Sequence, residues 1–575
     1  MLKLFRFLKP YKFSIAGLLV FLLLQSLGEL YLPTLMADIV DDGIAKGDLD
    51  YILRVGGFML LVAVASAICV ILASYLSAKA ATGFGKDLRS RVFAQVESYS
   101  LNEFDKIGTA SLITRTTNDI TQVQQVLIVM MRMMVSAPMM CIGGIIMAVS
   151  KDAKLSLVLL GVIPLLAGII IYTARRGMPL FKAMQAKIDK LNLVTRENLT
   201  GVRVIRAFNR LDHEKVRFGE ANRDLTDTAI KVNQLMAVVW PIMMLFMNFT
   251  TVAIIWFGSV RIDAGDIQVG DLMAFILYAT QIMFSLVMAS FLFVMVPRAE
   301  ASAIRINEVL NTLPEIKDPT AVKEAGGTKG LVEFNKVTFS YPGAEQPALS
   351  NISFKARPGE ITAIIGGTGS GKSTLISLIP RFYDIEMGSI LVNGVDVREM
   401  TQESLRAKIG LVPQMAVLFT GTVTDNIRYG KEDATDKEVK EAAETAQATE
   451  FISQMEEGFE SVIAQGGTNV SGGQKQRLSI ARALIRRPEV YIFDDSFSAL
   501  DFKTDARLRA ALKKDTVNST VIIVAQRVST VMDADQIIVL DNGQIAGIGS
   551  HKELLKNCEV YREIVSSQLS EEELA

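Results

Sequence analysis

Six apolar runs dominate the first 300 residues, at 14–36, 55–78, 127–149, 154–176, 235–258 and 269–296. Each holds about 20 residues or more, enough for a helix to cross the ~30 Å hydrocarbon core of a bilayer. Roughly 50 residues separate the second run from the third and the fourth from the fifth, with charge spread at helical spacing over Lys86–Glu97 and Lys187–Glu197. That pattern predicts membrane helices that continue past the bilayer, turn and come back. Beyond residue 330 the period changes. Short apolar runs at 361–365, 490–494 and 521–525 alternate with helical patterns, the signal of an α/β domain. The predicted fold is a membrane α-helical six-span domain over 1–310, a linker over 311–330 marked by Pro314, Pro319, Gly326 and Gly327, and an α/β domain over 331–575.

Orientation follows from cationic flanks. Lys3, Arg6, Lys9 and Lys12 precede the first run, Lys79, Lys86, Arg89 and Arg91 follow the second, and Arg175 and Arg176 follow the fourth. All fall on one side if the spans alternate, and the same side carries the α/β domain. This predicts a multi-pass protein of the cell (inner, cytoplasmic) membrane with its second domain in the cytoplasm. The amino terminus has no small-residue cleavage site, so its apolar run reads as a span and not a removed signal peptide.

Composition adds little. Half the residues are hydrophobic and the net charge is −1, with no basic pattern that would call for nucleic acid. Cys69, Cys141 and Cys558 have neither metal nor disulfide spacing. No internal repeat is visible, and the tail from Ser567 is acidic.

The chemistry sits in the second domain. Gly366-Gly367-Thr368-Gly369-Ser370-Gly371-Lys372-Ser373 fits the phosphate-loop pattern between a strand-like run and a helical one beginning at Thr374. Backbone N–H groups at such a helix start cradle phosphate, Lys372 reaches the terminal phosphates and Ser373 offers its hydroxyl to Mg²⁺. The apolar strand Val490–Asp494 ends in a carboxylate suited to the same ion. ATP and Mg²⁺ are therefore the expected cofactors. A phosphate loop alone is shared by kinases, GTPases and many ATPases.

The segment Ser471-Gly472-Gly473-Gln474 narrows the field, together with Tyr341, Gln414, Asp494 and Asp501 in order along the chain. Over residues 331–555 this closely resembles the ATP-binding cassette (ABC) family, and six spans plus one cassette resemble an exporter half-transporter. The resemblance implies that Tyr341 stacks on adenine and that Gln414 senses the γ-phosphate and its metal. It implies that Ser471–Gln474 caps the ATP of a second cassette, with Asp501 nearby. It also implies that the turns at 100–105 and 201–208, which carry Phe104 and Phe208, are coupling helices.

Two catalytic positions depart from the family. A Glu is expected after Asp494 and a His on the following strand; the chain has Asp495 and Gln526, and Gln465 replaces a further Glu. Asp withdraws the carboxylate by more than about 1 Å relative to Glu, and a general base must lie within hydrogen-bond reach. Gln can donate a hydrogen bond but cannot change protonation. The chain's two histidines, His213 and His551, fall elsewhere. The chain thus resembles the degenerate half of bacterial heterodimeric multidrug exporters. The implied partners are a second half-transporter bearing Glu and His, the lipid bilayer, and small amphipathic or lipophilic substrates. A homodimeric drug or lipid exporter that uses Asp495 as a slow base remains open, as does an ATP-gated channel or receptor.

Ionisable residues inside spans are costly and mark function or packing. Glu29, beside Gly28 and Pro33, lines a substrate path that favours cations, or is neutralised by a neighbour. Arg132 lines that path or snorkels to the edge. Asp38, Asp41 and Asp42 form an external gate or a hydrated helix end. Met130, Met131, Met133, Met134, Met139 and Met140, with Met243, Met244 and Met247, line an adaptable cavity or ordinary packed and lipid-facing positions.

Overall fold

The computed structural model describes residues 1–323 and 326–568; the acidic tail from Leu569 lies outside them. Two compact units divide the chain. One comprises 1–97 and 108–312, the other Ser98–Ile107 together with the chain from Leu313 onward.

The first unit is helical. After an N-terminal 3-10 segment, Leu2–Tyr11, come α1 (Lys12–Asp38), α2 (Leu49–Glu97), α3 (Leu101–Ile107), α4 (Thr109–Thr116), α5 (Asn118–Lys151), α6 (Leu157–Thr200), α7 (Val202–Ala207), α8 (Leu211–Asp263) and α9 (Val269–Asn311). Of these, α3 clusters with the second unit. Among the described residues, six helices are long and apolar enough to cross a membrane. They exceed their apolar runs because the polar stretches beyond them, such as Lys86–Glu97 in α2, keep helical spacing.

Packing follows residue size. On α2 the small residues Ala73, Ser77, Ala80, Ala81 and Gly85 are buried, while Leu60, Leu61 and Ile71 are exposed on its surface. Small residues let helix backbones approach closely, and the outward aliphatic side chains suit lipid. Helix α1 packs on α2, α5 on α9 and α6 on α8.

The second unit is the α/β domain. Its strands are β1 (Val332–Phe339), β2 (Leu349–Ala356), β3 (Ile361–Gly366), β4 (Met387–Val392), β5 (Val395–Asp396), β6 (Ile409–Val412), β7 (Gly421–Thr422), β8 (Val462–Ile463), β9 (Val490–Asp494), β10 (Thr520–Val524), β11 (Gln536–Asp541) and β12 (Gln544–Gly549). A six-stranded sheet has the order β12-β11-β3-β10-β9-β6, beside a four-stranded antiparallel sheet β2-β1-β4-β5 and the small pair β7-β8. Within the larger sheet only β12 is antiparallel to its neighbour. Its inner strands are buried on both faces. Ala363, Ile365, Tyr491 and Phe493 enter one core; Ile364, Val490, Ile492 and Ile522 enter another. This explains why those strands read as continuous apolar runs and not as alternations.

The stretch expected to be a plain linker is partly part of this unit. Ile316 is buried, the Gly327 N–H donates to the Asn393 carbonyl at 2.9 Å, and Lys323 pairs with Glu399 at 2.8 Å.

Candidate functional site

Register brings the phosphate-site residues together. In the parallel ladder Val524 pairs with both Ile364 and Asp494, so β3, β9 and β10 end side by side. Open α/β sheets place their ligands beyond these carboxyl ends. The phosphate loop leaves β3 and turns into a helix, α10 (Lys372–Leu378). Gly371 has φ +97° and an added Cβ there would lie 2.8 Å from the Leu349 side chain, so glycine is required on both counts.

Lys372 is buried, and its Nζ donates to the carbonyls of Gly366 at 2.9 Å and Gly367 at 2.7 Å. Burial lowers its pKa, against the opposing pull of Asp495 and Asp494. The Ser373 hydroxyl donates to Asp494 Oδ1 at 3.3 Å. Two hard oxygen donors side by side fit Mg²⁺, which takes few protein ligands and completes its shell with phosphate and water.

Asp495 adopts φ +43°, an uncommon left-handed conformation for this residue. Its N–H donates to the Val524 carbonyl at 2.9 Å, and its Oδ2 accepts from Gln526 Nε2 at 3.1 Å, with Gln414 Nε2 at 3.5 Å. Burial raises the pKa of both Asp494 and Asp495. The four positions singled out in the sequence thus meet, and the Gln526 amide is spent on the Asp495 carboxylate.

Tyr341 is 38% exposed, its hydroxyl 3.0 Å from Thr374 Oγ1 and its ring edge-on to Phe339 and Tyr383. Ser471 caps a second helix, α11 (Gly472–Leu484). The Gln474 N–H donates to Ser471 Oγ at 3.3 Å, and Gln474 Oε1 accepts the Ser471 N–H at 2.8 Å. This reciprocal cap fixes the helix start, whose Ser471 and Gly472 are exposed. Among the described residues no hydrogen bond joins this turn to the phosphate loop of its own chain. Asp501 caps the helix Phe502–Asp515 through the Thr504 N–H at 2.9 Å, which holds its carboxyl below the usual range.

Three residues were not singled out in the sequence: Tyr383 and Gln568 show only through tertiary contacts, whereas the Ser100–Glu103 spacing of a capping box was a local signal for Glu103. Tyr383 donates to Asp105 of α3 at 3.3 Å while touching Tyr341, and burial with the adjacent carboxylate pushes its hydroxyl up to about 12. Glu103 is buried; it caps α3 through Ser100 and accepts the Glu315 N–H at 3.0 Å. Gln568 clamps the strand end after β10, donating to the Gln526 carbonyl and accepting from the Val528 N–H, both at 2.8 Å. At the other predicted turn, α7 buries no residue and Phe208 is 75% exposed.

In the helical unit, Asp41 accepts the Gly270 N–H at 2.7 Å and Asp42 pairs with Lys46 at 2.5 Å. Close by in sequence, Lys151 pairs with Asp271 at 2.8 Å. Asp38 is half-buried, and Arg132 is exposed with no ion pair among the described residues. Among the described residues, the Glu29 carboxylate accepts only the Gln25 amide, at 3.0 Å. The methionines divide: Met243 is buried, while Met134 and Met244 are exposed.

Comparison with known proteins agrees with this geometry. The family model for the ABC transporter transmembrane region matches residues 15–286, and the ABC transporter model matches 349–498. An ABC transporter ATP-binding protein of Mycobacterium tuberculosis (strain CDC 1551 / Oshkosh) is 46% identical, over 98% of this chain and 97% of its own length. The ATP-dependent lipid A-core flippase of Vibrio vulnificus (strain YJ016) is 31% identical, over 99% and 97%. The structure of a bacterial Atm1-family ABC exporter with ATP bound superposes with TM-score 0.82 at 26% identity, over 97% and 99%.

Proposed function

This chain belongs to the ABC transporter family, as an exporter half-transporter whose ATPase is coupled to transport, and from that premise we propose that it is the ATP-retaining half of a heterodimeric exporter. Its own phosphate site binds ATP with Mg²⁺ and cuts it slowly. Its Ser471–Gln474 turn completes the active site of a partner that carries the missing Glu and His. The observation that carries this reading is the Asp495–Gln526 pair, a shortened carboxylate whose Oδ2 accepts from an amide that cannot titrate.

The remaining roles follow from the residues. The Gly366–Gly371 backbone and Lys372 hold the phosphates, and Tyr341 supports adenine. Ser373, Asp494 and Gln414 hold the Mg²⁺ ion, which when bound neutralises phosphate charge. Asp495 is a poor base because of its reach and its partner. The turns at α3 and α7 act as coupling helices, and the boundaries at 310 and 330 separate membrane domain, linker and cassette. Asp38 and Asp41 contribute to an external gate, and Arg132 sits at the edge of the substrate path. The cationic flanks support a cytoplasmic cassette, with the six helices spanning the cell's inner membrane. A lipophilic or amphipathic cargo is supported by the similarity to a lipid A-core flippase.

The test is the identity of retained nucleotide. The chain in lipid nanodiscs is loaded with Mg-ATP, freed of unbound nucleotide, and its bound nucleotide chromatographed after a time that covers many turnovers of an ordinary cassette. This reading predicts mostly intact ATP. Mostly ADP would make the chain a self-sufficient, homodimeric enzyme.

A further inference from the structure

Pro33 has no N–H and cannot bond the carbonyl four residues back, which is that of Glu29. Helix α9 supplies the missing donor: Gln281 Nε2 lies 3.2 Å from the Glu29 carbonyl oxygen. One residue on, the Leu30 carbonyl accepts from the Tyr278 hydroxyl at 3.0 Å, and that hydroxyl also meets Thr34 Oγ1 at 2.7 Å. The proline defect in α1 is therefore stitched to α9 by two polar side chains.

The stitch has a chemical consequence. With its N–H group committed to the Glu29 carbonyl, Gln281 leaves Oε1 buried with no partner. Ser26, one turn before Glu29 on α1, is fully buried and its Oγ is also unpartnered. Buried polar atoms without partners are few in folded proteins and call for explanation. Two of the five found among the described residues belong to the neighbours of this one membrane residue, Ser26 one turn before it and Gln281 on its main-chain carbonyl. Glu29 itself has no Lys or Arg within ion-pair distance among the described residues; only the Gln25 amide reaches it. Gln281 Oε1 and Ser26 Oγ thus offer unfilled acceptor sites, in a helix seam whose neighbours, Leu22, Leu30 and Ile282, are apolar.

We propose that Glu29, Gln281 and Ser26 form a recognition site for the N–H-bearing head of a lipophilic cation, an ammonium or guanidinium on an apolar body. The carboxylate supplies the opposite charge, Gln281 Oε1 and Ser26 Oγ accept the N–H groups, and the seam takes the apolar part. This rests on the exporter reading above and names its substrate class.

The test uses the full chain in lipid nanodiscs and three dansyl-labelled dodecyl probes ending in a primary ammonium, a trimethylammonium or a hydroxyl. Binding is compared among the parent, Glu29→Gln, Glu29→Asp and Gln281→Leu in the same lipid, so partitioning into the bilayer cancels. The parent is expected to bind the primary ammonium about tenfold or more tighter than either other probe, the loss that follows removal of a hydrogen bond to a charged group. Glu29→Gln, which can still accept from Gln25, should erase that preference, and Glu29→Asp should keep part of it. Gln281→Leu should weaken the ammonium probe but not the alcohol. Unchanged ATP binding in each variant shows that the chain is intact. Equal binding of ammonium and alcohol by the parent, or a preference that survives Glu29→Gln, overturns the site. Neither hydrolysis nor a partner enters this measurement, so a chain that binds the ammonium yet, once paired with its partner, exports none of it overturns the exporter reading alone.

Discussion

Gln526 donates to the Asp495 carboxylate, and in the proposed reading that contact separates holding ATP from cutting it. Restoring the longer carboxylate and a titratable ring through Asp495→Glu with Gln526→His should raise turnover by roughly 10²–10⁴-fold, the usual worth of a positioned base. The raised Asp495 pKa makes a second prediction. Its folded pKa lies above its unfolded value, so ionisation opposes folding once pH passes the folded pKa. Asp495→Asn, which can still accept from Gln526, should therefore raise the melting temperature of the nucleotide-free chain at pH 7.5. The gain should shrink as pH falls towards 4, and a pH-independent shift would contradict the assignment.

Helix α3 is tied to its unit by the side chains of Asn102, Glu103 and Asp105, and the last two each give an expectation at the scale of the element. Glu103→Ala leaves the Ser100 and Glu315 N–H groups short of an acceptor and should cost about 1–3 kcal/mol, measured as lost thermal stability. Tyr383→Phe keeps the ring against Tyr341 but removes the hydroxyl bound to Asp105. Hydrogen exchange of the α3 amides should quicken while ATP affinity stays within about twofold. The six membrane helices and the strands β3, β9 and β10 were legible in the sequence because burial or lipid on every side makes them continuous apolar runs. The phosphate loop and the Ser471 cap were legible because their chemistry is local. The resemblance marked 100–105 as a coupling helix, but no local pattern announced its grouping with this chain's own cassette, which rests on contacts such as Asp105 with Tyr383 across 278 residues. The Gln281–Glu29 stitch was hidden likewise: Pro33 announces a freed carbonyl, but only the fold shows which side chain answers it.

Across the whole molecule the account predicts asymmetry. In the assembled pair, Ser471→Ala in this chain damages the partner's active site and should depress total ATP turnover strongly. Asp495→Asn in the same chain should leave turnover nearly unchanged. Equal effects of the two substitutions in the purified pair would point to two equivalent sites. The asymmetry stems from chemistry, since the cap at α11 is whole while the site beyond β9 and β10 is altered.

The most direct test of the central claim is steady-state ATP hydrolysis by this chain alone in a lipid nanodisc, beside its Asp495→Glu, Gln526→His double variant. The account predicts negligible turnover in the parent and restored turnover in the variant, with ATP bound by both. Brisk hydrolysis by the unmodified chain would contradict it and make Asp495 a working base.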